Sequence, residues 1–161
     1  MSTVIEPHGG TALSHTPAET RALGRAIGRH AGPGTLVALV GPLGAGKTQL
    51  AKGIAEGLGV GGVVNSPTFV LMNEHPGRLR LFHADAYRLD EPDDLFAAGL
   101  LDDRAADGVT VIEWADRLAG WLPDERLELT LAVGDRDEER RIAWRAHGPE
   151  HVALARDVLD R

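Results

Sequence analysis

The chain has 161 residues, 43% hydrophobic and 25% charged, with no cysteine and a formal net charge of −7 from 17 basic and 24 acidic side chains. That length supports one domain with a sizeable core, expected over 1–161, and the missing cysteine excludes disulfides, thiol chemistry and Cys-ligated zinc while remaining compatible with a reducing cytoplasm. No apolar run approaches the ~20 residues that span a bilayer, the start of the chain lacks the basic-then-apolar order of a secretory signal, and the bases form no stripe that would neutralise nucleic-acid phosphates unaided.

Thr16-Pro17-Ala18-Glu19 predicts a helix start, with Thr as N-cap, Pro at the first helical position and Glu placed to close a capping box. The helix runs to about His30 with Leu23 and Ile27 facing the core. Thr35 to Val40 is a short apolar run between Gly-rich turns, the pattern of a strand buried on both faces in a parallel sheet. Leu50, Ile54 and Leu58 then recur every four residues in a helix beginning near Lys47, with Gly59 placed to end it.

Further strands are predicted at Thr68 to Met72, Leu79 to Ala84 and Val109 to Glu113, with a short helix near Asp93 to Ala98. The alternation of Leu127, Leu129, Leu131 and Val133, a turn at Gly134 to Asp137 and a return over Arg141 to Arg145 form a hairpin. Residues 149–161 add a closing C-terminal helix. The expected fold is α/β, a mixed and mostly parallel sheet with an antiparallel hairpin and flanking helices.

Gly41-Pro42-Leu43-Gly44-Ala45-Gly46-Lys47-Thr48 fits G-x-x-x-x-G-K-[ST] and lies between the buried strand and the amphipathic helix, as a phosphate loop requires. Its glycines let backbone N–H groups and the positive end of the helix approach a polyanion. On this reading Leu43, Gly44, Ala45, Gly46, Lys47 and Thr48 bind the phosphates of a nucleotide, with Lys47 reaching the β and γ phosphates and the Thr48 hydroxyl ligating Mg2+. Lys occurs only at 47 and 52, so this chain places Arg almost everywhere else it needs a long cation.

Three later segments offer polar partners. Ser66-Pro67-Thr68-Phe69 reads equally as a switch-like loop sensing the γ-phosphate or Mg2+ and as an ordinary turn into a strand. In His83-Ala84-Asp85-Ala86-Tyr87, alternate residues share a face, so either Asp85 enters the nucleotide site while His83 and Tyr87 frame it, or the segment is a polar strand end. Glu113 closes the apolar strand Val109–Ile112, where parallel sheets bind ligands, and is expected to hold Mg2+ directly or through water. The seven histidines show no paired ligand spacing.

In order, the Thr20–Gly24 region, GPLGAGKT at 41–48, SPTF at 66–69, HADAYRL at 83–89 and IEWADR at 112–117 resemble the bacterial tRNA threonylcarbamoyladenosine biosynthesis ATPases, the TsaE (YjeE) family, over about residues 14–145. The resemblance implies a P-loop NTPase fold and a slow Mg2+-dependent ATPase. Its family role is threonylcarbamoylation of adenosine 37 in ANN-reading tRNAs, with two partner proteins of TsaD and TsaB type through which tRNA is mainly engaged. It further implies that Thr48 and Glu113 hold Mg2+, that Lys47, Asp85 and Glu113 are catalytic, that Ser66 and Thr68 form the switch-like loop, and that Trp114 shapes the site. Residues 16–20 become a candidate surface for adenine. Pro42 and Gln49 depart from the family's common Asp and Thr. Two other classes share the loop: a small-molecule kinase, which would need an acceptor pocket and a lid, and a nucleotide-gated assembly module whose hydrolysis is incidental.

Overall fold

The computed structural model describes residues 8–62, 72–87 and 91–160. They form strands β1 (His8–Ser14), β2 (Leu36–Val40), β3 (Met72–His75), β4 (Arg80–Asp85), β5 (Gly108–Glu113), β6 (Arg126–Val133) and β7 (Arg140–His147). The helices are α1 (Pro17–His30), α2 (Lys47–Gly57), α3 (Asp93–Ala97) and α4 (Pro149–Val158). The strands make one sheet in the order β1-β7-β6-β2-β5-β4-β3. β1, β6, β2, β5 and β4 point one way, while β7 and β3 run against them. The sheet is therefore mixed and mostly parallel in direction, with β6–β7 as the expected hairpin and β3–β4 as a second.

β2 lies between two parallel neighbours, β5 and β6, which is why its sequence is apolar at successive positions. Its Val37 and Leu39 face a core closed by α1, α2 and α4, while Leu36 and Ala38 face a smaller core under α3 and the 3₁₀ turn at Ala115–Leu118. Leu50 and Ile54 on α2 and Leu58 at its C-cap are fully buried, each contributing roughly 1.5–3 kcal/mol. The Thr16 Oγ1 accepts from the Glu19 N–H at 3.1 Å, as expected of the cap. The Glu19 carboxylate accepts from the His15 N–H, one residue outside the position a capping box would use.

α1 and α2 cross almost backbone to backbone. A Cβ added at Gly24, Gly28, Gly53 or Gly57 would overlap the carbonyl oxygen of Leu50, Ile54, Arg21 or Arg25 in turn. Arg21 and Arg25 clasp Glu56 at the edge of this crossing. Gly53→Ala is thus expected to destabilise the protein by about 3 kcal/mol, the upper range for overpacking, because backbone rather than a flexible side chain must yield. Urea unfolding checks this, and a midpoint equal to wild type would refute the close crossing.

Strand β1 has no counterpart in the sequence expectation. Its HGGTALS run is poor in β-forming residues. It is fixed instead by antiparallel pairing with β7 from His8↔Ala146 to Ser14↔Arg140. A Cβ at Gly10 would lie 2.9 Å from the Trp144 ring, so glycine makes room for that indole.

Candidate functional site

The parallel strands β2, β4 and β5 deliver their carboxyl ends to one edge of the sheet, and register does the rest. Glu113 pairs with Leu39 on one side and with Asp85 on the other, so the two carboxylates stand next to each other beside the start of the loop that follows Val40. Gly41 is needed there because a Cβ would overlap the carbonyl oxygen of Leu131. Gly46, at φ 101°, occupies the left-handed region that glycine tolerates and turns the loop into α2.

Lys47 is buried at 5% exposure and folds back over this loop, donating from Nζ to the carbonyls of Gly41 at 2.5 Å and Pro42 at 2.8 Å. Pro42, which lacks an N–H, contributes its carbonyl here, and that same oxygen accepts from the Ala45 N–H at 3.1 Å. The Lys47 ammonium also sits 3.9 Å from the centre of the Trp114 ring, a cation–π contact. Burial pushes the Lys47 ammonium below its ordinary value, against the pull of Glu113, Asp116 and Asp85.

Glu113 is 2% exposed. Its Oε1 accepts from the Thr48 hydroxyl at 3.1 Å, and its Oε2 lies 2.6 Å from His83 Nε2. Two hard oxygen donors from the start of α2 and the end of β5 thus lie side by side, the donor type that suits Mg2+. Among the described residues no group of three or more His, Asp or Glu is arranged to hold a metal by itself.

The Asp85 Oδ1 accepts from the Tyr87 N–H at 2.9 Å. Burial holds this carboxyl above its ordinary value of 3.8 against the bond from Tyr87 and the weaker pull of His83 and Lys47, and the Glu113 charge adds in the same direction as burial. The native state therefore holds that proton more tightly than the unfolded chain, and stability falls as pH rises from 3.8 through the raised value. Asp85→Asn keeps an acceptor for Tyr87, so its melting temperature is expected above wild type at about pH 7 and level with it near about pH 3, where both forms are neutral. Thermal melts across this range check the sign; a variant less stable than wild type at neutral pH would contradict it.

Trp114, directly after Glu113, has φ 58° and ψ 39°, a left-handed conformation that costs a non-glycine residue roughly 1–2 kcal/mol. This turn swings the indole over Lys47 and against Tyr87, whose ring centre is 4.8 Å away. Strain at such a position is characteristic of sites where a side chain must be aimed.

Leu43, Gly44, Gly46, Lys47, Thr48, Gln49, Asp85, Tyr87, Glu113 and Trp114 enclose a cleft of about 440 Å³. Of the described residues assigned to phosphate, metal or catalysis from the sequence, all line it except Ala45, which is buried beneath the loop, and residues 16–20, the candidate adenine surface, are not part of its lining. Ser66 and Thr68 lie outside the described residues. Gln49 joins the cleft without having been assigned to it, and Tyr87 flanks Asp85 there. Arg140 approaches the loop from the other side, donating from Nη2 to the Gly44 carbonyl at 3.1 Å, so no arginine side chain lines the cleft among the described residues. Leu43 stands 81% exposed at the loop's tip.

Comparisons with known proteins bear on the chain as a whole. The family model for the threonylcarbamoyl adenosine biosynthesis protein TsaE matches residues 14–142. The chain is 41% identical over 144 residues to the tRNA threonylcarbamoyladenosine biosynthesis protein TsaE of Bacillus subtilis, covering 88% of this chain and 89% of that protein. It is 45% identical over 130 residues to the protein of the same name from Streptomyces coelicolor, covering 75% and 85%. The crystal structure of Bacillus subtilis YdiB superimposes with a TM-score of 0.79 at 33% identity, over 96% of this chain and 97% of that one.

Proposed function

Since the chain belongs to the TsaE family of threonylcarbamoyl adenosine biosynthesis proteins, we propose that it is the nucleotide-driven member of the machinery that threonylcarbamoylates adenosine 37 of ANN-reading tRNAs. It binds ATP with Mg2+ in the cleft over the phosphate loop and hydrolyses it slowly, in the cytoplasm, with partner proteins of TsaD and TsaB type. The observation that supports this reading best is the convergence of Lys47, Thr48, Glu113 and Asp85 at the carboxyl ends of three parallel strands.

Backbone amides over Leu43–Thr48 cradle the phosphates, and Lys47 exchanges its two loop carbonyls for β- and γ-phosphate oxygens. Thr48 and Glu113 would hold Mg2+, which supplies charge neutralisation of the phosphates when bound. Asp85, anchored through Oδ1, directs its other oxygen toward an attacking water. The Trp114 ring roofs Lys47 and limits access of bulk water to the loop. Ser66 and Thr68 respond to loss of the γ-phosphate and present that state to partners.

Slow turnover alone is supported by the lack of a cleft-lining arginine among the described residues, since such a cation speeds phosphoryl transfer by 10³–10⁵. A partner is expected to complete or gate the site. The test is reconstituted modification of an ANN-reading tRNA by TsaD- and TsaB-type proteins, with this chain supplied or omitted, while phosphate release is followed. Modification should depend on the chain, and release should change when the partners are added. Stoichiometric transfer of phosphate to a small acceptor would replace this reading with the kinase one, and modification independent of phosphate release would favour the assembly module.

A further inference from the structure

We propose that His83 is a positioning residue for the nucleotide site, fixing the Glu113 carboxylate so that its Oε1 is presented toward Thr48. His83 is 1% exposed on β4, two residues before Asp85, and its Nε2 lies 2.6 Å from Glu113 Oε2. An ionised carboxylate only accepts, so the bond requires the proton on Nε2. Nδ1 is buried with no hydrogen-bond partner among the described residues. The ring's one hydrogen bond among the described residues is thus the short contact to Glu113.

The geometry gives that bond a consequence. Each Glu113 oxygen has a different neighbour, Thr48 Oγ1 for Oε1 and His83 Nε2 for Oε2. With Oε2 held, rotation about the last side-chain torsion, otherwise broad for a carboxylate, is restricted, and Oε1 stays beside the Thr48 hydroxyl. Outer groups that orient a metal-holding carboxylate typically change metal affinity or activity by 10–100-fold. The inference rests on the reading of Thr48 and Glu113 as the Mg2+-holding pair, and it assigns His83 no contact with nucleotide or metal.

Two measurements test it. In the protein without nucleotide, ¹⁵N spectra of the His83 ring should show the proton on Nε2; a proton on Nδ1 alone overturns the proposal. In the second, ADP affinity is measured in EDTA, and Mn2+ affinity of the protein–ADP complex by electron paramagnetic resonance. His83→Leu should leave ADP affinity in EDTA within about threefold of wild type and weaken Mn2+ by about 10–100-fold. His83→Gln, which returns an N–H near the Nε2 position, should recover most of that loss. In a Glu113→Ala background His83→Leu should have no further effect, because it acts through that carboxylate.

Wild-type Mn2+ affinity in folded His83→Leu overturns the inference while leaving the nucleotide reading intact. Equal loss of ADP affinity in EDTA for both variants also overturns it, in favour of a general structural role. Failure of the wild-type protein to bind ADP overturns the nucleotide reading and this inference with it. If His83→Leu does not fold, His83→Phe supplies a donor-free ring judged by the same criteria.

Discussion

Lys47→Ala is expected to lower ATP affinity by at least about 100-fold, because two charge-assisted hydrogen bonds to phosphate, each worth roughly 1.5–3 kcal/mol, go with the ammonium. The fold should survive. Among the described residues the Lys47 side chain is hydrogen-bonded to the Gly41 and Pro42 carbonyls and lies against the Trp114 face, and Lys47 and Trp114 themselves line the cleft, which water can enter. Burial also lowers the Lys47 pKa, so at neutral pH the native state carries a desolvated charge that the variant no longer has. Loss of these carbonyl bonds and loss of the desolvation cost oppose one another, and stability should change by no more than about 1 kcal/mol. Calorimetric titration with ATP, paired with thermal melts, separates the two effects. ATP binding at wild-type affinity would refute the assignment of the loop.

The second large effect is expected at Glu113. Glu113→Ala should reduce Mg2+-dependent phosphate release by about 10²–10³, the range seen when one preorganised electrostatic group is removed. ATP affinity measured in EDTA should stay within about threefold of wild type, because the loop amides and Lys47 remain. The variant leaves the Thr48 hydroxyl and the His83 Nε2 without the oxygens they now face, so Glu113→Gln, which preserves volume and one acceptor, is the companion for judging fold. It should melt closer to wild type yet turn over as slowly as Glu113→Ala. Unchanged turnover in both would remove Glu113 from the mechanism.

These two residues were legible for different reasons. Lys47 sits in an eight-residue motif whose strand and helix are both local signals: a run of apolar residues before it and a four-residue apolar spacing after it. The end of β5 was legible as well, since an acid closing a buried strand breaks its apolar run. What joins them was not. The contact between His83 and Glu113, residues 30 apart, depends on the parallel register between β4 and β5, and no local pattern encodes that register. Trp114 was singled out by resemblance, but its left-handed backbone had no local marker, since glycine or asparagine would be the usual sign of such a turn. β1 was missed because its signal resides in a distant partner, the Trp144 ring that fills the space over Gly10. The predicted strand over Thr68 to Met72 meets the described structure only at its last residue, where β3 begins.

The glycine crossing of α1 and α2 has a mechanical meaning for the loop it supports. Ordinary helix contacts contain side chains that can re-seat by changing rotamer, and that freedom absorbs small shifts. Here main chain meets main chain at four points, so there is nothing to re-seat. A rotation or slide of α2, whose first residue is Lys47, would be handed undamped to α1 and on to the Thr16 end of that helix. The joint behind the phosphate loop is one without slack.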